Sequence, residues 1–361
     1  MWHAADLNEK LRDAGDYHFT GLQQQQQPKF DWDAFKPKRD AYIQKLSDSY
    51  ERNLVREHVD VYHGIGVLRS PTTVRVTPLS DGDAEPLDLH ADHICIATGG
   101  RPVVPDDATV PGASLGIDSD GFFALKTQPR RAAVVGAGYI AVELAGVLNA
   151  LGTETHLIIR GERVLRTFDQ DLQDVLTPWM EHSGVRIHKE SRVVRVDRVG
   201  PKSEDDEDDG GGAKVVQTDR GERIEVDVVL WAIGRRANTE GIGLEEVGVR
   251  LNDRGDVVVD EYQNTSVKGV TSIGDVQGKA LLTPVAIAAG RRLANRLFGP
   301  EEYKDQKLDY ENIPTVVFSW VFVLHCSRDC STVSSQPSDH WDCRTHRGES
   351  TRKVRRCRQD M

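Results

Sequence analysis

The sequence predicts an α/β fold, and three observations carry that reading. Residues 131 to 188 alternate in a β-α-β-α-β pattern: "RAAVV" reads as a strand, Gly138 to Leu151 as a helix, "THLIIR" as a strand, and "DQDLQDVLTPWMEHSG" as a helix ending at Gly184. A glycine turn, Gly136 and Gly138, stands at the first strand-to-helix junction. The flanking chain is made of short apolar runs closed by glycines, and none approaches the roughly 18 to 20 residues of a membrane span. At 361 residues the chain has room for two or three domains.

Taken in order, residues 23–27 are "QQQQQ", followed by Pro28, a low-complexity surface loop. The spacing of Tyr42, Ile43, Leu46, Tyr50 and Leu54 predicts a helix over Phe35 to His58 with an inward apolar stripe. Tyr42 and Trp2 read as core or structural residues. "HVDVYHGIGVLRSPTTVRV" alternates as short strands, and "HADHICIATGGRPVVP" reads as a buried strand carrying Cys95 into a glycine turn. Beyond the β-α-β-α-β unit, "VRIHKESRVVRVDRV" and "AKVVQT" are strands around the solvated loop "GPKSEDDEDDGGG". "VDVVLWAIG" is a buried strand. "VTSIGDVQGKALLTPVAIAAGRRLANRLFG" is a strand, a turn and a long helix.

The glycine turn carries chemistry. "VVGAGYIA" places Gly136, Gly138 and Ala141 in a G-x-G-x-x-A pattern between strand and helix, the arrangement that lets a pyrophosphate meet a helix N-terminus. A site for NAD or FAD wants a carboxylate about twenty residues later, at the end of the second strand. Here Ile159 holds that position, Arg160 follows it, and Arg166 lies on the same loop. Two guanidiniums in place of a carboxylate suit a 2′-phosphate through bidentate, charge-assisted bonds, so NADPH is the expected dinucleotide.

A net charge of −11 argues against nucleic acid as a partner. The N-terminus is not a signal peptide, because it is mixed in charge with no apolar segment. Only Cys95 lies in the first 319 residues, so a cytoplasmic or mitochondrial protein is expected, not a disulfide-stapled secreted one. Cys326, Cys330, Cys343 and Cys357 crowd the end. Their C-x-x-x-C spacing is poor for zinc, and no metal site is expected. After Ser319 the composition shifts to Ser, Arg and Cys, and no sustained period is read there.

The segments "GAGYIAVELAG", "IIRGERVLRTFD", "LWAIGRRANT", "VTSIGDVQGKALLTPVAIAAGRRLANRLF" and "ENIPTVVFS" resemble the class I pyridine nucleotide–disulfide oxidoreductases, and within them the members that reduce glutathione disulfide. The resemblance runs over roughly residues 1 to 319. It implies two nested Rossmann-like domains, one for FAD and one for NADPH, with the FAD domain incomplete and the C-terminal dimer-interface domain largely missing. The implied division is 1–101 for the first part of the FAD domain, 102–237 for NADPH, 238–312 for the second FAD part, and 313–361 for an interface remnant with an unrelated tail from 320.

By that resemblance, Gly136, Gly138, Tyr139, Ile140, Glu143, Arg160, Arg166 and Gly234 serve NADPH. Tyr139 covers the flavin where nicotinamide enters, and Glu143 sits one helical turn on. Gly64, Gly66, Thr98, Gly99, Gly274, Asp275, Leu281 and Thr283 serve FAD, although Asp275 also reads as an ordinary helix cap. Tyr50 and Arg291 match positions that touch glutathione disulfide, and the family assembles as a homodimer. The implied chemistry passes a hydride from NADPH to FAD, then electrons through a disulfide to glutathione disulfide, in cellular redox homeostasis.

The sequence departs from the family in three places. It holds no C-x-x-x-x-C pair, no first FAD glycine turn, and no His-Glu pair after "PTVVFS"; His325, His340 and His346 take no role. Two alternatives stand beside the reductase: an NADPH-binding fragment without an electron relay, and another kind of NADPH–FAD oxidoreductase.

Overall fold

A computed structural model describes residues 1–14, 29–79, 85–200, 212–311 and 313–319, together with the backbone of 322–326 and 330–334. The glutamine run, the acidic loop, Cys343, Cys357, His340 and His346 lie outside the described residues.

Two helices open the chain, α1 (Trp2–Asp13) and α2 (Trp32–Arg56). Then come β1 (Gly64–Ser70), β2 (Thr73–Pro78), β3 (Leu87–His90), β4 (Ile94–Ile96), β5 (Gly100–Pro102) and α3 (Ser119–Ala124). The central unit is β6 (Arg131–Val135), α4 (Tyr139–Ala150), β7 (Glu154–Ile158), α5 (Gln170–His182) and β8 (Arg186–His188). After it lie β9 (Val193–Arg198), β10 (Lys214–Thr218), β11 (Arg223–Val226), β12 (Val228–Trp231) and β13 (Arg235–Ala237). The chain continues through α6 (Leu244–Val247), β14 (Val270–Ser272), α7 (Thr283–Phe298), β15 (Thr315–Val317), β16 (Phe322–Cys326) and β17 (Cys330–Ser334).

Four parallel strands, in the order β12-β6-β7-β8, form the sheet that positions the glycine turn. Its strands read as continuous apolar runs because both faces are covered. Ala132, Val134, Leu157, Val228 and Leu230 face a helical layer with Leu144, Leu148, Leu172, Leu176 and Met180. The alternate residues Ala133, Val135, Ile158, Val229 and Trp231 face the antiparallel sheet β11-β10-β9 through Val193, Val196, Val216 and Ile224. Trp231 Nε1 reaches the Ala113 carbonyl at 2.9 Å, so the largest buried ring leaves no polar atom without a partner. α1 lies along α4, with Ala5 buried and Asn8 donating to the Ala150 carbonyl at 2.7 Å.

A second, smaller core gathers Leu68, Ile94, Ile96, Leu244, Val257, Val270 and Val276 around the parallel pair β4·β14. β5 and β13 pair antiparallel beside it, and β1, β2 and β3 form an antiparallel sheet of their own.

Three sequence expectations are corrected. The helix α2 forms, capped by Asp31, which accepts from the Ala34 N–H at 2.9 Å. Its stripe does not face a core. Tyr42 is 61% exposed and Tyr50 is 70% exposed, with Ile43, Leu46 and Leu54 also exposed, because no described element covers that face. Helical period alone says that apolar residues share a face, not that anything meets them. Cys95, expected to be buried, is exposed: β4 alternates, so Ile94 and Ile96 point into the small core and Cys95 points away. Surrounding protein still desolvates its thiol and pushes the pKa up. Finally, no sustained period is read after Ser319, yet β16 and β17 form a hairpin that extends β15, with Cys326 opposite Cys330 in the register. Among the described residues no helix is long and apolar enough to cross a membrane.

Candidate functional site

The two glycines of the turn do different jobs. Gly136 has φ +139°, and a Cβ there would lie 2.1 Å from the Ala232 carbonyl oxygen, so only glycine fits between β6 and the end of β12. Gly138 has an ordinary backbone, φ −83°, and a Cβ there would meet nothing within 4 Å. The fold does not need a glycine at 138. Its bare backbone leaves the N-terminus of α4 open to approach, with no side chain capping it. Ala141 is fully buried, 3.5 Å from where a Gly136 Cβ would stand, which is the close helix–strand contact the small residue permits. Ile140 packs its side chain on the helical core.

The loop after β7 is tied onto this turn. Leu165 donates its N–H to the Ala137 carbonyl at 2.7 Å while buried and held at φ +54°. A left-handed backbone at leucine costs about 1–2 kcal/mol, and the buried side chain and clamped N–H hold it there. Val164 donates to Thr177 Oγ1 at 3.2 Å, and Arg163 pairs with Asp174 at 2.6 Å. Arg160 and Arg166 flank these anchors. Both are exposed, and neither has a hydrogen-bond or ion-pair partner among the described residues. Two unpaired cations on a braced loop, beside an uncapped helix N-terminus, make a site for a dinucleotide with one more phosphate than NAD.

Tyr139 and Glu143 stand one turn apart on α4, as the spacing requires. Burial raises the Tyr139 phenol, with Arg235 opposing and Asp275 and Glu143 adding to the shift. The structure therefore brings Tyr139 within electrostatic reach of Asp275, on the far motif "IGD". Burial also raises the Glu143 carboxyl, opposed by the Phe318 N–H that it accepts at 3.0 Å. Phe318 meets Trp2 with ring centroids 5.4 Å apart, so "PTVVFS" and the start of α1 close over the same end of α4. Trp2 is thus the structural residue expected.

The FAD-assigned residues fall into two groups. Thr98, Gly99, Gly274 and Asp275 lie together at the ends of β4 and β14, while Gly64 and Gly66 sit on β1. Thr98 Oγ1 donates to the Asn238 carbonyl at 2.7 Å, and Asn238 Nδ2 returns a bond to the Thr98 carbonyl at 3.0 Å. Gly234 follows β12 and accepts from the Val103 N–H at 2.9 Å. Asp275 is not an N-cap: it is the second residue of the 3-10 turn Gly274–Gln277, capped by Ile273. Leu281 is half-buried, and Thr283 is the exposed first residue of α7. Tyr50 and Arg291 are exposed, and neither is bonded to another described residue. Sequence reasoning passed over Arg235, Asn238 and Phe318. The first two stood inside the quoted "GRRANT", whose repeated polar residues after a buried strand were the available signal.

A parallel sheet with an open glycine turn, an unpaired arginine pair and a converging second motif defines a dinucleotide-binding fold. The chain belongs to the family described as pyridine nucleotide-disulphide oxidoreductase, whose profile matches residues 9–290. It is 45% identical over 322 residues to a glutathione reductase of Yarrowia lipolytica, and 45% identical over 319 residues to one of Schizosaccharomyces pombe. Those alignments cover 88% of this chain and 66% and 65% of the two relatives, so the chain spans slightly under two thirds of their length. Among solved structures, the HOCl-induced flavoprotein disulfide reductase RclA from Escherichia coli superposes with a TM-score of 0.70 at 24% identity, over 83% of this chain and 64% of that one. Its Cu(II) complex gives 0.71 at 24% identity, over 88% and 66%. At that identity the likeness speaks for the fold.

Proposed function

We propose that this chain acts in the NADPH-dependent reduction of glutathione disulfide. The observation that carries the reading is the free pair Arg160 and Arg166 on a loop clamped to the glycine turn, in a chain 45% identical to two glutathione reductases. The residues fit the dinucleotide: Gly138 is open, α4 is uncapped, and both guanidiniums are unpaired among the described residues. They fit part of a flavin site, with the Asp275 carboxylate half-buried beside the Thr98–Asn238 clamp.

When bound, NADPH supplies a hydride that FAD accepts as a two-electron carrier. The rest is the chain's own work. Arg160 and Arg166 take the 2′-phosphate, and the α4 N-terminus takes the pyrophosphate. Tyr139, with its phenol kept neutral by burial, shields the reacting face from water. Asp275 accepts from ribityl hydroxyls. Arg291 takes a glutathione carboxylate, and Tyr50 lies against the peptide. The working form is a homodimer in the cytoplasm or mitochondrion.

A second reading is favoured by one observation: no C-x-x-x-x-C pair occurs in the 361 residues, so electrons leaving a flavin have no thiol pair here to receive them. On that reading the chain binds NADPH without turning over glutathione disulfide. Two measurements on the purified chain separate the possibilities. Retention on 2′,5′-ADP resin, with release by NADPH and not NADH, supports both readings. Glutathione disulfide-dependent NADPH oxidation supports the first alone, and its absence leaves the second.

A further inference from the structure

A hydrogen-bonded chain of four ionisable side chains crosses the edge of the parallel sheet behind the arginine loop. His156 on β7 and His188 on β8 lie edge to edge and nearly coplanar, with ring centroids 5.2 Å apart, and His156 Nδ1 lies 2.9 Å from His188 Nε2. The outer nitrogens face carboxylates: His156 Nε2 is 3.3 Å from Glu154 Oε1, and His188 Nδ1 is 3.1 Å from Glu222 Oε2. His156 is 7% exposed. The charged groups facing the pair are Glu154 on β7, Arg186 on β8, which is paired to Glu154, and Glu222 from the turn between β10 and β11.

Counting protons decides what this arrangement needs. A carboxylate only accepts, so each outer ring nitrogen must carry a proton. If both rings were neutral, the two inner nitrogens would then face each other as bare lone pairs at 2.9 Å. Closing all three bonds takes three protons on four nitrogens, one more than two neutral rings supply. A fourth would set two N–H groups against each other. The closed chain is therefore a monocation between two carboxylates. Burial and the charge already present both oppose adding a fourth proton. The lowered pKa of His156, caused by burial first and His188 second, agrees with that penalty.

This chain is linked through the backbone to the residues on either side of Arg160. The His188 carbonyl accepts from the Ile159 N–H at 3.0 Å, Glu190 N–H bonds to the Gly161 carbonyl at 3.0 Å, and Ser191 N–H bonds to the Ile159 carbonyl at 2.9 Å. Arg160 sits between the two residues so tied. The turn that carries Glu222 also holds Arg220, which pairs with Glu190 at 2.9 Å.

We propose that His156 and His188 are positioning residues that share one proton between Glu154 and Glu222, and that closing this chain braces residues 159–161 and couples proton uptake to binding of the nucleotide 2′-phosphate. The proposal rests on the reading of Arg160 as a 2′-phosphate ligand. It places pH sensitivity at the edge of the nucleotide sheet.

The test uses the full chain labelled with ¹⁵N-histidine, with 2′,5′-ADP and 5′-AMP as probes, between about pH 5 and 8. Imidazole NMR is expected to show the pair titrating in two separated steps, with three protonated nitrogens between them. Calorimetry in buffers of different ionisation enthalpy is expected to show proton uptake with 2′,5′-ADP beyond the ligand's own phosphate titration, and little with 5′-AMP. His188→Leu, which removes two bonds of the chain, should weaken 2′,5′-ADP about fivefold where the wild-type chain is closed, the equilibrium worth of one hydrogen bond. His188→Gln, which bonds but takes no proton, should keep affinity within about twofold and abolish the pH step. The proposal is overturned if the two rings titrate as independent histidines, or if His188→Gln keeps the wild-type pH profile. If Arg160→Glu leaves the preference for 2′,5′-ADP over 5′-AMP intact while NMR still shows the shared proton, the phosphate reading fails and the proton clamp stands.

Discussion

The two cores of this molecule differ in how their sheets are covered. The four-stranded parallel sheet is closed on one face by α1, α4 and α5 and on the other by the antiparallel sheet β11-β10-β9, and all of β12 is buried. In the pair β4·β14 every residue of β14 is buried, while Cys95 at the edge in β4 is exposed between buried Ile94 and Ile96. Helix α2 carries an apolar stripe that stays in solvent. The lesson concerns where a substitution acts. In the first region a change in shape is felt through a close-packed interior. In the second, many apolar side chains carry little folding energy because nothing described lies against them.

Five variants sharpen or break that contrast, from the largest effect to the smallest. Gly136→Val should destabilise the chain by about 2–4 kcal/mol in urea unfolding, since backbone at Ala232 occupies the space and the left-handed φ penalises any side chain. Gly138→Val should leave stability within about 0.5 kcal/mol yet abolish retention on 2′,5′-ADP resin, because nothing in the fold opposes that side chain. Equal destabilisation by both would end the distinction between a steric glycine and an access glycine.

Arg160→Glu combined with Arg166→Leu should lower the NADPH over NADH affinity ratio by about 10- to 100-fold, the worth of one or two charge-assisted bonds. A ratio unchanged from wild type removes the 2′-phosphate assignment.

Glu143→Gln is read through pH. The folded-state carboxyl titrates above its unfolded value, so its contribution to stability is present below the ordinary carboxylate range and fades as pH rises through the raised value. The variant should flatten the fall in urea midpoint between about pH 4 and 7; a curve parallel to wild type means the side chain is solvated. Smallest of all, Leu46→Ser with Tyr50→Ser should shift stability by no more than about 0.5 kcal/mol, as for other exposed sites. A loss of 2 kcal/mol or more, measured the same way, means that this face is covered in solution.

Much of the nucleotide region is legible in the sequence because its signals are local. Strand, glycine turn and helix follow within a few residues, and Arg160 and Arg166 stand at a spacing set by one β-α-β unit. The flavin-side residues were placed by likeness to the family, and the structure adds that Thr98 and Asn238 clamp one another across 140 positions. Short elements were missed: β11 and β13 are 4 and 3 residues long, too short to show a period. The hairpin after Ser319 was missed for the same reason, since two five-residue strands, FVLHC and CSTVS, give little alternation to read. The exposure of Tyr42 and Cys95 was misjudged because a pattern reports which residues share a face and not what lies against it.

The sequence by itself determined the α/β class, the glycine turn and the pair of cations after the second strand, since each depends on chain geometry over a few residues. The tertiary structure alone decided that Tyr139 stands within reach of Asp275, that Phe318 occupies Glu143, and that two histidines 32 positions apart meet between carboxylates. Those juxtapositions come from strand order and helix packing, which are long-range contacts that no local spacing encodes.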